Sequence, residues 1–109
     1  VDPDVEQIRA CQVVGAHAVE LHTGVFAESV DPAEARTERE RIVYAADEGK
    51  RLGLRVNAGH GLHYHNAQAI ASIKTISELN IGHSIIARAV FAGLGGAVRD
   101  MKRLIQAVG

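Results

Sequence analysis

Three short stretches of this sequence put side chains able to move protons beside glycines that expose backbone amides. In Asn57-Ala58-Gly59-His60-Gly61-Leu62 two glycines flank a histidine. Glycine lets the main chain approach a ligand closely, and imidazole titrates near neutral pH, so His60 is a candidate general acid or base. The same local pattern also suits a histidine hydrogen-bonded in a turn. It is not a dinucleotide fingerprint, because Tyr64 stands where the third glycine of G-x-G-x-x-G would fall. Gly82-His83-Ser84 opens a short helical segment. A helix N-terminus gathers unpaired N–H groups and positive dipole, which can hold a phosphate; the competing reading is an ordinary turn with Ser84 as N-cap. Glu20 sits on the polar side of an alternating stretch, next to His22. A carboxylate inside a folded domain needs a cation, donors or a proton, so Glu20 either stabilises positive charge or moves a proton, or else pairs with an arginine such as Arg55.

His60, His63 and His65 form H-x-x-H-x-H, which raises the question of zinc. Zinc sites need three or four converging ligands, these histidines cross a strand-to-helix loop, and neither CxxC nor HExxH is present. The reading is therefore no metal. His17 reads as a surface or turn residue and Cys11 as a packing residue of the first helix.

The elements that position these residues alternate between helix and strand. Asp4 caps a helix through about Val14, stopped by Gly15, and Ala18 to Thr23 reads as a strand. After Gly24 a loop leads to Asp31-Pro32, an N-cap followed by proline at the first helical position, and that helix runs to about Leu52. Leu54 to Ala58 and Leu79 to Ile81 are further strands; Asn66 to about Ile73 and Ser84 to about Phe91 are short helices. A last helix carries Leu94, Val98, Met101, Ile105 and Val108, a stripe at helical spacing expected to pack in the core. In the strands, Val19/Leu21, Leu54/Val56/Ala58 and Leu79/Ile81 form one apolar face; Glu20/His22, Asn57/Gly59 and Asn80/Gly82 form a polar or small one. A doubly wound sheet buries both faces and would show near-continuous apolar strands. One polar face, with its chemistry at the strand ends, fits α/β class and a (β/α)8 TIM barrel opening onto an active site. Two glycine-bearing strand ends followed by a short extra helix fit the phosphate site built after strands seven and eight.

Length limits this reading. A (β/α)8 barrel takes roughly 250 residues, and the chain has 109, so residues 1–109 are expected to be part of one barrel domain. A start of Val1-Asp2-Pro3-Asp4, without Met, agrees with a piece of a longer polypeptide. Hydrophobic residues make up 47% and charged residues 23%, which suits a globular protein. Twelve Lys and Arg against thirteen Asp and Glu leave a net charge of −1, which does not call for nucleic acid or an anionic membrane as partner. With one cysteine no intrachain disulfide forms, in keeping with a reducing compartment. No apolar run reaches the length of a membrane span.

With these residues in view, Val19-Glu20-Leu21-His22-Thr23-Gly24, Val56-Asn57-Ala58-Gly59-His60-Gly61-Leu62 and Glu78-Leu79-Asn80-Ile81-Gly82-His83-Ser84-Ile85-Ile86-Ala87-Arg88-Ala89 resemble segments of the pyridoxine 5′-phosphate synthase family. Order and spacing agree along essentially the whole chain, which then corresponds to the C-terminal half, with strands six, seven and eight of the barrel. The resemblance implies condensation of 1-deoxy-D-xylulose 5-phosphate with 3-amino-2-oxopropyl phosphate, closing a pyridine ring with loss of water and inorganic phosphate. It implies His60 as general acid, Glu20 as stabiliser of transition-state charge, and Gly61, Gly82 and His83 as binders of the amino-ketone phosphate. It also implies no organic cofactor or metal, and a cytoplasmic homo-oligomer. The family's remaining acid/base residues, a histidine and a glutamate, and its pentulose phosphate site lie in the N-terminal half of the barrel. The 109 residues alone are therefore expected to be inactive and to expose association-prone edges. Another phosphosugar isomerase or aldolase on the same barrel, or a non-catalytic phosphate-binding module, are the alternatives.

Overall fold

The side chain of Asp4 accepts the Glu6 N–H at 2.9 Å and starts α1 (Val5–Val13). Asp31 does the same for Ala33 at 3.0 Å, with Pro32 at the first position of α3 (Pro32–Arg51). Between them lie β1 (Ala18–His22) and α2 (Gly24–Glu28); β2 (Arg55–Gly59), α4 (Ala67–Ala71), β3 (Glu78–Asn80), α5 (His83–Ala92) and α6 (Leu94–Gln106) follow. The computed structural model describes residues 1–108; Gly109, the last residue of the expected domain, lies outside the described residues.

The three strands form one parallel sheet in the order β1-β2-β3. Parallel neighbours require crossover connections, and α3 and α4 supply them. The register sets Glu20 opposite Asn57, His22 opposite Gly59, and Gly59 opposite Asn80. Val19, Leu21, Val56 and Ala58 turn to one face and are buried there with Ile8 of α1 and Ile42, Ala45 and Ala46 of α3. Glu20, His22 and Asn80 turn to the other face and are exposed. One face under helices and one face open among the described residues is the arrangement expected of part of a barrel wall. The Cα radius of gyration is 14.2 Å, above the roughly 13 Å of a compact domain of this length.

Three expectations are adjusted. The segment after Gly24, expected as a loop, begins with α2, which buries Phe26 against the core. No side chain caps this helix, so nothing local in the sequence announces it. The third strand begins at Glu78 and ends at Asn80, one residue earlier than expected, because pairing with Asn57–Gly59 sets its extent. The α6 stripe is only partly core: Met101 is buried, Val98 and Ile105 are half-buried, and Leu94 is 58% exposed. Val98, Met101 and Ile105 instead border an open groove with Leu79, Ile81 and Ile85. Cys11 packs against the core and His17 lies exposed in a bend, as expected.

Glu48 of α3 ties α1 to the layer. Its carboxylate accepts from Arg51 Nε at 3.1 Å and from Arg9 Nε at 3.2 Å. The Arg51 hydrogen bond foremost, with the Arg9 bond and both guanidinium charges, lowers its carboxyl from 4.5 to about 2 against the opposing effect of desolvation.

Two outcomes follow from this packing. Ile42 is fully buried between α3 and the sheet, so Ile42→Ala should lower unfolding free energy by about 2–5 kcal/mol in urea titrations; an unchanged midpoint would contradict the burial. Because the folded-state pKa of Glu48 is depressed, its stabilisation is complete above pH 4.5 and fades as pH falls towards 2. The difference in stability between the native chain and Glu48→Gln should follow that course, and a difference undiminished at the acid end would contradict it.

Candidate active site

The C-terminal ends of the strands and the start of α5 enclose a cleft of about 760 Å³. Glu20, His60, Gly61, Gly82 and His83, the five residues singled out from the sequence, all line it, together with Asn80, His63 and Ser84. Residues from β1, the β2–α4 loop and the β3–α5 junction thus meet in one place, although they are far apart in the chain.

Glu20 projects from the open face of β1. Its Oε1 accepts a hydrogen bond from Asn80 Nδ2 of β3, across the intervening strand. The bridge passes over Gly59. A Cβ there would lie 2.7 Å from the Asn80 carbonyl oxygen and 3.2 Å from Glu20 Oε1, so only glycine leaves room for it. Among the described residues the ion pairs are Arg9–Glu48, Arg41–Glu38, Arg51–Glu48 and Arg88–Asp100. Arg55 is therefore not the partner of Glu20; a neutral amide is, and the carboxylate charge stays available to a cation in the cleft. Beside it on β2, Asn57 Oδ1 is buried without a donor.

His60 has φ of +96°, a region that side chains other than glycine rarely adopt. Its backbone is held from β1: Thr23 N–H donates to the Gly59 carbonyl at 2.9 Å, and Thr23 Oγ1 donates to the His60 carbonyl at 2.7 Å. Thr23 is fully buried. The His60 ring stacks on that of His22, with centroids 4.3 Å apart and planes inclined by 25°.

The first turn of α5 carries no acidic residue, and Gly82 caps it without a side chain. The first helical bond runs from Ile86 N–H to the Gly82 carbonyl at 3.0 Å. The N–H groups of His83, Ser84 and Ile85 precede it and have no acceptor within the helix. Ser84 is not the N-cap; the helix begins one residue earlier, and Ser84 Oγ donates to the Leu62 carbonyl at 2.9 Å. This bond docks α5 on the loop that carries His60. Arg88 of α5 strengthens the joint by lying 4.4 Å from the Tyr64 ring centroid, and Tyr64 OH donates to the Ala97 carbonyl of α6 at 2.7 Å. The uncapped start of α5 thus shares one cleft with an imidazole and a carboxylate.

The histidines of H-x-x-H-x-H point apart. His60 turns to His22, while His63 and His65 meet edge to face at 6.0 Å. Among the described residues no group of three His, Cys, Asp or Glu side chains could hold a metal ion. Nor, among them, is any helix long and apolar enough to cross a membrane.

Sequence reasoning gave no role to His22, Thr23 or Asn80. All three sit within the quoted motifs, and Asn80 lies on the expected polar face, but their contacts depend on strand order and register.

Pyridoxine 5′-phosphate synthases of Legionella pneumophila strains Corby, Lens and Paris are each 55% identical to the chain over 106 residues. The match covers 97% of this chain and 43% of theirs, so the chain spans less than half the length of these curated relatives. A family profile matches residues 1–107, nearly the whole sequence, and the chain belongs to the family described as pyridoxal phosphate biosynthesis protein PdxJ.

Proposed function

We propose that these residues form the phosphate-binding, proton-donating side of a pyridoxine 5′-phosphate synthase active site. The observation that carries this reading is the single cleft in which Glu20 and His60 face the uncapped start of α5 at Gly82–His83. The substrates would be 1-deoxy-D-xylulose 5-phosphate and 3-amino-2-oxopropyl phosphate. The phosphate of the amino-ketone sits on the amides of Gly61, Gly82 and His83, where helix dipole and free N–H groups favour an anion. That anchors its nitrogen and carbonyl between the two side chains. Ring closure expels oxygen as water, and each departing oxygen must be protonated; His60 is the group in this cleft that delivers a proton. Iminium-like charge develops on the substrate as oxygen leaves, and Glu20, fixed by Asn80 and free of a cationic partner, stabilises it.

The chain is read as the C-terminal half of one barrel domain, with β1, β2 and β3 as its strands six, seven and eight. Both edges of the sheet support this. Val1 donates to the Glu20 carbonyl and accepts from His22 N–H, each at 2.7 Å, the pattern of a parallel neighbour along the outer edge of β1. At the other edge β3 and the groove along α6 lie open. The first half of the barrel would cover both and bring the pentulose phosphate site and the remaining acid/base groups. Ile86, Val90 and Phe91 of α5, all largely exposed, would be covered within the complete homo-oligomer, in the cytoplasm. No cofactor or metal is invoked.

The test is turnover of the two substrates by the protein carrying a complete barrel, read as pyridoxine 5′-phosphate formed. His60→Asn should lower kcat by about 10²–10⁴-fold with folding intact. Near-normal turnover would remove His60 from the acid role, and absence of product from the unmodified protein would favour another phosphosugar isomerase or aldolase. Glu20→Gln should reduce kcat by roughly 10²-fold while leaving KM nearly unchanged, as expected for an interaction made in the transition state. A rise in KM with kcat unaffected would instead make Glu20 a binding group.

A further inference from the structure

His22 lies at the end of β1, opposite Gly59 in the register, and its ring stacks on that of His60. Glu20, His60, His63 and His83 line the cleft; His22 does not. Its Nδ1 accepts the Gly24 N–H at 3.3 Å, which fixes the ring rotation. Gly24 is buried, and a Cβ on it would lie 2.6 Å from His22 Cε1 and 3.0 Å from His60 Cδ2. Both imidazoles therefore rest against the same backbone, in space that exists because residue 24 has no side chain. With Thr23 gripping the His60 carbonyl, three consecutive residues hold one histidine: His22 its ring, Thr23 its backbone, Gly24 the room for both. His60 needs such support, since its positive φ is not a conformation that histidine keeps unaided.

We propose that His22 is a positioning residue for the condensation: a stacked platform that aims the His60 imidazole at substrate bound on Gly82–His83. This rests on the reading of His60 as the proton donor. A donor displaced by about 1 Å loses on the order of 10²-fold in rate, so a ring that fixes the direction of the imidazole acts on kcat while leaving phosphate binding alone.

The experiment uses the protein with its complete barrel and three variants: His22→Ala, His22→Phe and His60→Asn. His22→Ala should lower kcat by roughly 10–100-fold with KM for the amino-ketone phosphate within about threefold of normal. His22→Phe, which keeps a flat ring against His60, should recover most of that loss. Proton NMR supplies a readout independent of turnover: the Cδ2–H signal of His60 should carry a ring-current displacement in the unmodified protein and in His22→Phe, and lose it in His22→Ala. Unchanged kcat in His22→Ala overturns the proposal, as does a His60 signal that stays put, or a His22→Phe variant as impaired as His22→Ala. If His60→Asn alone keeps normal turnover, the acid role of His60 fails; the ring-current comparison then still decides whether His22 positions it.

Discussion

Thr23 closes the top of the β1–β2 ladder, and the arrangement of the cleft depends on that closure. Its N–H continues the parallel hydrogen bonding onto the Gly59 carbonyl one residue beyond the strand, and its hydroxyl takes the next carbonyl, that of His60. Two consecutive carbonyls are thereby fixed from a fully buried side chain and its own backbone, so the loop turns sharply enough to give His60 its positive φ. The turn throws the imidazole back over β1, where it meets His22, and it directs the following residues towards α5. Ser84 then closes the circuit by bonding to the Leu62 carbonyl. The start of α5 is placed against the His60 loop through a chain of short polar contacts rather than through a large apolar contact.

The sheet solves a second problem in the same region. A carboxylate on a strand face needs donors, and Glu20 obtains one from Asn80 only because the strand between them carries glycine at the crossing point. The three strand ends are thus coupled in pairs: β1 to β2 through Thr23, β1 to β3 through Glu20 and Asn80. Residues of differing chemistry are held on rigid elements, which is what proton transfer to a bound ligand requires. The polar face that lines the cleft is also the face that, among the described residues, no helix covers. Under the proposed function that is the barrel interior.

Much of this was legible in the sequence where a local rule sets the outcome. Asp4 and Asp31-Pro32 announce their helices because capping is decided within three residues. The alternation Val19-Glu20-Leu21-His22 announces a one-sided strand because the pleat has period two. Glycines around His60 and before His83 mark the two loops that meet in the cleft. What the sequence hides is set at long range. Glu20 and Asn80 are 60 positions apart, so sequence reasoning offered Arg55, at the start of the adjacent strand, as the partner instead. The His22–His60 stack needs the register that puts His22 opposite Gly59. Helix α2 lacks a capping side chain and forms because Phe26 has a place in the core. The α6 stripe has the periodicity of a core helix, yet three strands offer too little surface to bury all of it, and Leu94 stays exposed.

The central claim is that Glu20, His60 and the start of α5 face one bound phosphorylated substrate. A crystal structure of the protein with its complete barrel, soaked with inorganic phosphate, tests this most directly. The account predicts a phosphate within hydrogen-bonding distance of the Gly82 and His83 amides, with the His60 ring stacked on His22 and turned towards it. A phosphate bound elsewhere with this helix start vacant, or a His60 ring directed out of the cleft, would contradict it.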